Sequence, residues 1–207
     1  QFPNITLFEN LDIDIRNEEE VIKNYIKVQE NFNKKNSIQF CKTHSCLFNY
    51  KDKYPFTNLE NSLGAIYVVR DQRNIVTSYA NFSQKSPENV ADMMIEKSYI
   101  GGNLYADKSS GDRTTVHTGT WASNFQTWKS FNYENKYLLI KYEDLNNNPE
   151  LVFNKILAFI YNLNKTKFDI DKKKFDNVIK TTSFGFMQSL ENKYGFIESK
   201  INPETNK

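Results

Sequence analysis

The chain has 207 residues, of which 39% are hydrophobic and 14% aromatic, and its 27 Lys and Arg nearly balance its 25 Asp and Glu to give a net charge of +2. This composition is typical of a globular protein and argues against general disorder and against a broad nucleic-acid-binding surface. No apolar stretch approaches the roughly 20 residues that a membrane-spanning helix needs. The length suits one large α/β domain, and we expect a single domain over residues 1–207.

Few residues of the chain favour disulfide or metal chemistry. Cys41 and Cys46 are the two cysteines, and only two histidines occur. We therefore expect free thiols in a reducing compartment and no metal site. The first residues, Gln1-Phe-Pro-Asn, lack both an initiating Met and a signal-peptide pattern. We accordingly expect a cytoplasmic protein, and a chain that is a fragment or a processed product.

The first part of the chain predicts a helix and then a strand that ends in polar residues. The alternation over residues 11–15 predicts at best a short strand, and Asn17 with three following Glu predicts the start of a helix that continues to about residue 33. Residues 37–41 predict a short strand, with Lys42-Thr43-His44 directly after it. A lone His is commonly structural, although its titration near neutral pH also suits a catalytic base.

The segment that begins at Ala65 predicts a buried strand over 65–69, a tight polar turn and a helix over about 72–83. Residues 49–63 before it predict a loop. Such a turn lies at the C-terminal edge of a parallel sheet, where open α/β folds bind ligands. Arg70 offers a planar fork of donors at the strand end, and Ser78 adds a hydroxyl about two helical turns later. The segment therefore predicts an anion clamp; the alternative is a surface Arg and a solvent-facing Ser.

The rest of the chain predicts further helices around one more strand. A Ser-Pro cap predicts a helix from Ser86 to about residue 100, and the polar residues 102–118, which include His117, predict a loop with a surface His. The remaining predicted elements are an aromatic helix over 119–131 that packs into the core, a strand over 137–141, a helix from Pro149 to about 162, a lysine-rich linker over 163–176, a short helix over 175–179 and a final helix capped by Thr182 or Ser183.

Five of these segments resemble, in the same order, motifs of sulfotransferases that use 3′-phosphoadenosine 5′-phosphosulfate (PAPS). They span residues from about 38 to 190, and each lies at a predicted strand or helix end. The segments are Lys42-Thr43-His44, the strand ending at Arg70 with Ser78 eight residues on, the helix with Gly119 and Trp121, the run Tyr142-Glu143-Asp144, and Thr182-Ser183-Phe184.

The resemblance implies a P-loop-NTPase-like three-layer α/β fold, with a central parallel sheet flanked by helices, and transfer of the sulfuryl group of PAPS to an acceptor hydroxyl or amine. It implies that His44 is the general base and that Lys42 stabilises the transferring group. Arg70 and Ser78 would bind the 3′-phosphate. The residues that it implies around the adenine are Tyr142, Thr182, Ser183 and Phe184. No metal or nucleic acid is implied, and the acceptor is a small molecule, a saccharide or a lipid.

Two features of the family pattern do not occur in the 207 residues. One is the Pro-Lys-Ser-Gly-Thr-like loop that binds the 5′-phosphosulfate, and the other is a C-terminal Arg-Lys-Gly segment. We expect both to lie beyond the ends of the sequence, so that the domain is incomplete at both ends. One alternative is a non-catalytic nucleotide-binding or interaction module of the same fold. A P-loop kinase or NTPase is disfavoured because no Gly-x4-Gly-Lys-Ser/Thr motif occurs.

Overall fold

The computed structural model describes residues 2–34, 37–96, 98–101 and 115–195. The chain forms two compact units: unit 1 contains Gln1–Ala65 and Asp92–Tyr137, and unit 2 contains Ile66–Ala91 and Leu138–Lys207. The helices are α1 (Glu18–Lys23), α2 (Tyr25–Asn33), α3 (Gln72–Ser83), α4 (Pro87–Ile95), α5 (Trp121–Trp128), α6 (Tyr142–Asn147), α7 (Pro149–Leu163), α8 (Lys172–Thr181) and α9 (Phe184–Tyr194). The strands are β1 (Asn49–Tyr50), β2 (Tyr54–Pro55), β3 (Ala65–Val69), β4 (Ser98–Gly101), β5 (Thr115–Gly119) and β6 (Tyr137–Lys141).

Unit 1 has an aromatic core beneath α1 and α2. The Tyr25 ring is 1% exposed and meets the rings of Phe2 and Phe56 edge-on, with centroids 5.5 and 5.6 Å away. Such edge-to-face pairs add to the free energy of burial. Burial raises the pKa of the Tyr25 hydroxyl well above its ordinary value. The other fully enclosed side chains of this core are Phe8, Val21, Ile22 and Val28.

A buried polar contact joins the helices of unit 1 to the hairpin formed by β1 and β2. The Gln29 side chain donates to the main-chain oxygen of Phe56 at 2.7 Å and accepts from the hydroxyl of Thr57. Because a buried amide without partners is costly, this pairing fixes the hairpin against α2. The hairpin itself pairs Asn49 with Pro55 and Tyr50 with Tyr54.

The strands β3 and β6 pair with each other, and their ends show that they run parallel. At their starts, the Ala65 amide donates to the Lys136 carbonyl at 2.7 Å. Immediately beyond their ends, the Asp71 amide donates to the Glu143 carboxylate at 3.2 Å. Starts that meet starts and ends that meet ends require a parallel pair, and a parallel pair needs a crossover connection. The predicted α/β class is therefore confirmed, with Arg70 and Tyr142 directly after the two strands.

Unit 2 adds helices with capped ends to this pair. Asp71 caps α3 through the Arg73 amide, Asp171 caps α8 through the Lys174 amide, and Ser183 caps α9 through the Phe186 amide. Each cap satisfies an amide that has no partner within its own helix. Val152 of α7 and Phe175 of α8 are among the buried side chains of this unit. None of the described helices is long and apolar enough to cross a membrane.

Several predicted elements are confirmed by the structure. These are the helix start after Asn17, the strands at 65–69 and 137–141, the helix over 72–83, the aromatic helix after Gly119, the helix from Pro149, and the Ser183-capped final helix. The short helix predicted over 175–179 is longer, since Asp171 caps it from residue 172. The helix predicted through residue 33 is interrupted at Asn24, whose side chain donates to the Glu20 carbonyl.

Six predictions were wrong. Residues 11–15 and 37–41 form no strand, and residues 49–63 contain the β1–β2 hairpin instead of only a loop. The helix from Ser86 ends at Ile95, because β4 follows it and pairs antiparallel with β5. Strand β5 occupies residues that were predicted as loop, while residues 102–114 lie outside the described part of the chain. His117 is not a simple surface residue: its Nε2 lies 3.0 Å from Glu18 Oε1, and its ring packs against Phe48.

Candidate active site

The Lys42–Leu47 segment of unit 1 is held mainly by side chains of α5 and forms no strand of its own. The His44 carbonyl accepts from the Asn124 side chain at 3.1 Å, and the Ser45 carbonyl accepts from the Trp128 indole at 2.8 Å. The Leu47 amide donates to the Thr127 hydroxyl at 3.0 Å. The Cys46 amide donates to the carbonyl of His117 in β5 at 2.8 Å. These bonds explain why the segment before β1 is ordered without strand pairing.

The junction between β5 and α5 places those side chains. Gly119 has a φ of +66°, a left-handed conformation that favours glycine. Thr120 then caps α5: its hydroxyl accepts from the Ser123 amide, and the Ser123 hydroxyl accepts from the Thr120 amide. A Cβ on residue 119 would lie 2.6 Å from the Ser123 hydroxyl oxygen and 3.3 Å from the Cys46 sulfur. The junction is therefore closely packed against the segment that carries His44.

The predicted catalytic side chains, Lys42 and His44, are both exposed. Between them, the Thr43 hydroxyl accepts the Ser45 amide at 3.1 Å and so closes a local turn. Ser45 is only 1% exposed. The segment thus has a buried anchor at Ser45 and an exposed imidazole and ammonium group directly before it.

In unit 2, Arg70 and Tyr142 come together at the ends of the parallel strands. The guanidinium carbon of Arg70 lies 4.6 Å from the centre of the Tyr142 ring, and both side chains are half-buried. A guanidinium can contact an aromatic ring through its own face. Its N–H groups lie in the guanidinium plane, so in such a contact they can still donate to an anion.

The backbone turn after Arg70 is fixed by two carboxylates. Glu143 accepts the Asp71 amide and so connects the turn after β3 to the first turn of α6. Asp71 in turn accepts from the side chain and amide of Arg73, and these bonds hold the pKa of Asp71 at about 2. The bond from the Asp71 amide therefore gives Glu143 a structural role in this turn.

The remaining predicted nucleotide residues lie on helices of unit 2. Ser78 is exposed in the second turn of α3. At the corner between α8 and α9, the Thr182 hydroxyl donates to the Val178 carbonyl at 2.7 Å, and the Ser183 hydroxyl donates to the Lys180 carbonyl at 2.9 Å. Phe184 starts α9 with its side chain 67% exposed. The hydroxyls of Thr182 and Ser183 thus have local structural partners, and Phe184 presents an accessible ring.

Sequence reasoning missed Asn124 and Thr127, although it marked the helix that carries them. With Trp128 they occupy positions i, i+3 and i+4 of α5, which share one helix face. An aromatic helix face was predicted to pack into the core, and Trp128 does so, with its ring 6.0 Å from that of Phe56. The polar residues on this face were the sequence signal for such bonds. The sequence does not show that they bind groups 80 residues away.

The family model for the sulfotransferase domain matches residues 3–204. The chain belongs to the sulfotransferase family. Among curated relatives, it is 27% identical to sulfotransferase 1B1 of Mus musculus and 24% identical to sulfotransferase 1A1 of Bos taurus, in each case over 156 residues that cover 73% of this chain. These alignments cover 44% and 42% of the respective relatives, so the chain spans less than half of their length.

A solved structure is also similar to the chain. It is mouse sulfotransferase SULT7A1 complexed with PAP, with 16% identity, a TM-score of 0.47, and coverage of 63% of this chain and 42% of that one. The family assignment rests on the family model and on the curated relatives. It agrees with the α/β class and with the parallel pair of β3 and β6.

Proposed function

We propose that this sulfotransferase-family chain transfers the sulfuryl group of PAPS to a hydroxyl or amine of an acceptor. In an in-line displacement the acceptor atom forms a bond to sulfur while the bond from sulfur to the bridging phosphate oxygen breaks. The acceptor proton passes to the His44 imidazole, and 3′,5′-adenosine bisphosphate (PAP) leaves. His44 suits this role because a neutral imidazole accepts a proton near neutral pH. Lys42 would stabilise charge on the sulfuryl oxygens.

The single observation that carries the proposal is the stack of Arg70 on Tyr142. It combines an oriented guanidinium and an aromatic ring at the C-terminal ends of two parallel strands. This edge is where open α/β sheets bind ligands. The guanidinium would bind the 3′-phosphate in a bidentate manner, through two parallel N–H bonds, and the Ser78 hydroxyl would be a further donor. The adenine would contact Tyr142, Thr182, Ser183 and Phe184, of which Phe184 offers an exposed ring for stacking.

The proposed partners follow from the same chemistry. The acceptor would be a small molecule, a saccharide or a lipid with a free hydroxyl or amine, and no metal is required because fixed cations supply the stabilising charge. We place the protein in the cytoplasm, where PAPS chemistry and the free thiols Cys41 and Cys46 are compatible.

A second candidate is a nucleotide-binding module without transfer activity. The observation that favours it is that the contact between Arg70 and Tyr142 joins two of the proposed nucleotide residues, which such a module would share with the enzyme. The two candidates share nucleotide binding and differ in turnover.

The test of the proposal is thermal unfolding with PAP, with ADP as the nucleotide that lacks a 3′-phosphate. At a concentration one hundred times its dissociation constant, PAP should stabilise the chain by about 2.7 kcal/mol. The shift should be lost in Arg70→Ala and kept in Arg16→Ala, a matched change in unit 1. Equal shifts with PAP and ADP, or none with either, would contradict the 3′-phosphate site. Sulfuryl transfer from PAPS then separates the enzyme from the binding module.

A further inference from the structure

One face of α5 binds the main chain of three residues in the segment that carries His44. We call Asn124, Thr127 and Trp128 the α5 clamp. The Asn124 side chain donates to the His44 carbonyl, and the Trp128 indole donates to the Ser45 carbonyl. The Thr127 hydroxyl accepts from the Leu47 amide, and the His117 carbonyl of β5 accepts from the Cys46 amide. Every residue from 44 to 47 thus has a main-chain group bound by the β5–α5 part of unit 1.

Asn124 is the member of the clamp that contacts His44 itself. Its carboxamide nitrogen donates to the His44 carbonyl at 3.1 Å and to the Thr118 carbonyl at 2.8 Å. A carboxamide has two N–H donors, so each carbonyl receives one. The side chain therefore ties the peptide of His44 to the end of β5, directly before the closely packed Gly119 junction.

The tie matters for function because it fixes the peptide that carries the exposed His44 side chain. The position of a side chain in space depends on the position of its own backbone. Proton transfer requires the base within hydrogen-bond reach of the acceptor, and a displacement of about 1 Å can lower a rate roughly a hundredfold. Fixing the His44 peptide therefore fixes the position from which the ring acts.

We infer that Asn124 is a positioning residue for His44, which acts through the two carbonyl bonds and not by touching the acceptor or the nucleotide. The inference rests on the proposed function, because it assigns Asn124 a role in turnover through His44. It predicts that loss of the two donors lowers kcat while the affinity for the nucleotide, which is bound by unit 2 residues, stays unchanged.

The test compares two changes of amide to carboxylate on one helix. Asn124→Asp keeps the shape of the side chain but removes both donors. Gln126→Glu adds the same charge two residues on, at an exposed position. Asn124→Asp should lower kcat roughly tenfold to a hundredfold and leave the KM for PAPS within about twofold. Gln126→Glu should match the wild type in both. Asn124→Ala, which also removes both donors, replaces Asn124→Asp if the latter fails to fold.

Amide hydrogen exchange gives a second measurement that does not depend on turnover. In Asn124→Asp, the amides of residues 45–47 should exchange faster than in the wild type, while those of the α2 core at Val28 stay unchanged. An unchanged kcat, or a lowered kcat with unchanged exchange at 45–47, would overturn the inference. Absence of turnover in the wild type itself would count against the proposed function; unchanged exchange at 45–47 would then overturn the role of Asn124, and faster exchange would support it.

Discussion

The two key side chains of the proposed reaction are held in different ways. His44 is exposed, and its main chain is fixed through Asn124 and its neighbours in α5. Arg70 is half-buried, and its guanidinium is oriented directly by the Tyr142 ring. Removing the His44 side chain therefore leaves the main-chain bonds of residues 44–47 intact, since none of these bonds uses the imidazole.

Replacing His44 by Ala should abolish sulfuryl transfer while preserving nucleotide binding. Loss of a general base typically lowers turnover by a factor of roughly 10² to 10⁴. The PAP-induced thermal shift should stay, because the proposed phosphate and adenine residues are in unit 2 and are unchanged. Initial rates with PAPS and unfolding temperatures with PAP check both parts. Turnover retained in His44→Ala would rule out the base assignment, and a lost PAP shift would mean that the variant disturbs more than the base.

At the scale of elements, the turn from β5 into α5 depends on one glycine. In Gly119→Ala, the new methyl group would lie 2.6 Å from the Ser123 hydroxyl oxygen at a φ of +66°, so the capping pair must shift. We expect a loss of about 2 kcal/mol or more in the free energy of unfolding, from backbone strain and the weakened cap together.

Gly185→Ala is the matched control for this change. Residue 185 is the second residue of α9, and a Cβ there would meet no atom within 4 Å. Ala is favoured over Gly by about 0.5–1 kcal/mol in a helix interior and by less in the first turn, so this variant should be at least as stable as the wild type. Chemical denaturation measures both. Equal stability of the two variants would show that the Gly119 junction tolerates a side chain.

The contact between α1 and the β1–β2 hairpin should depend on pH through Glu19. Its carboxylate binds Lys23 at 2.6 Å, Lys51 at 2.9 Å and Tyr50 at 3.1 Å, and these bonds, with that to Lys23 first, lower its pKa to about 2. A carboxylate with a lowered pKa stabilises the fold above its unfolded pKa, near 4.5, and loses that contribution as the pH falls toward 2.

Glu19→Gln should consequently be less stable than the wild type at pH 7, and the difference should shrink between pH 4.5 and pH 2. Denaturation midpoints across this range measure the change. Glu30→Gln, at an exposed position of α2 without a salt bridge among the described residues, serves as the control and should show no such convergence. A difference that stays constant from pH 7 to pH 2 would contradict the role of the Glu19 charge.

The sequence allowed local elements to be predicted better than distant contacts. Asn17, Asp71 and Ser183 mark helix starts because a cap is a local interaction. The pairing of β4 with β5 and the bonds from α5 to residues 44–47 join positions far apart in the chain, so no local pattern reveals them. The same reason explains why residues 37–41 were wrongly predicted as a strand: a β-rich composition does not supply a partner.

In the candidate site, too, features that depend on local sequence were predicted and contacts between distant residues were not. Arg70 and Tyr142 were predicted to lie at strand ends, and the structure brings them into contact, because the ends of parallel strands meet at one edge. Asn124 was not predicted, since its importance comes from what it binds. The roles of the site residues, including Ser78 and Phe184, stay predictions that the proposed experiments test.

At the scale of the whole molecule, the residues of the proposal belong to two compact units, and each set can be tested by itself. Lys42 and His44 belong to unit 1, whereas the proposed ligands of the nucleotide belong to unit 2. The two curated relatives are more than twice as long as the part of them that aligns with this chain. Whether the chain catalyses sulfuryl transfer is therefore a separate question from whether unit 2 binds a nucleotide. Binding can therefore be tested locally, within unit 2.

Hydrogen exchange with and without PAP should locate that binding. If Arg70 and Tyr142 bind the 3′-phosphate and adenine, PAP should slow exchange in the turns at residues 70–74 and 142–147, and at the corner over 182–186. Bound ligand raises the free energy of local opening where it makes contacts. ADP shares the adenine but lacks the 3′-phosphate, so it should protect 182–186 and leave 70–74 nearly unchanged. Protection of 70–74 that is equal with both nucleotides, or that survives in Arg70→Ala, would show that Arg70 is not the 3′-phosphate ligand.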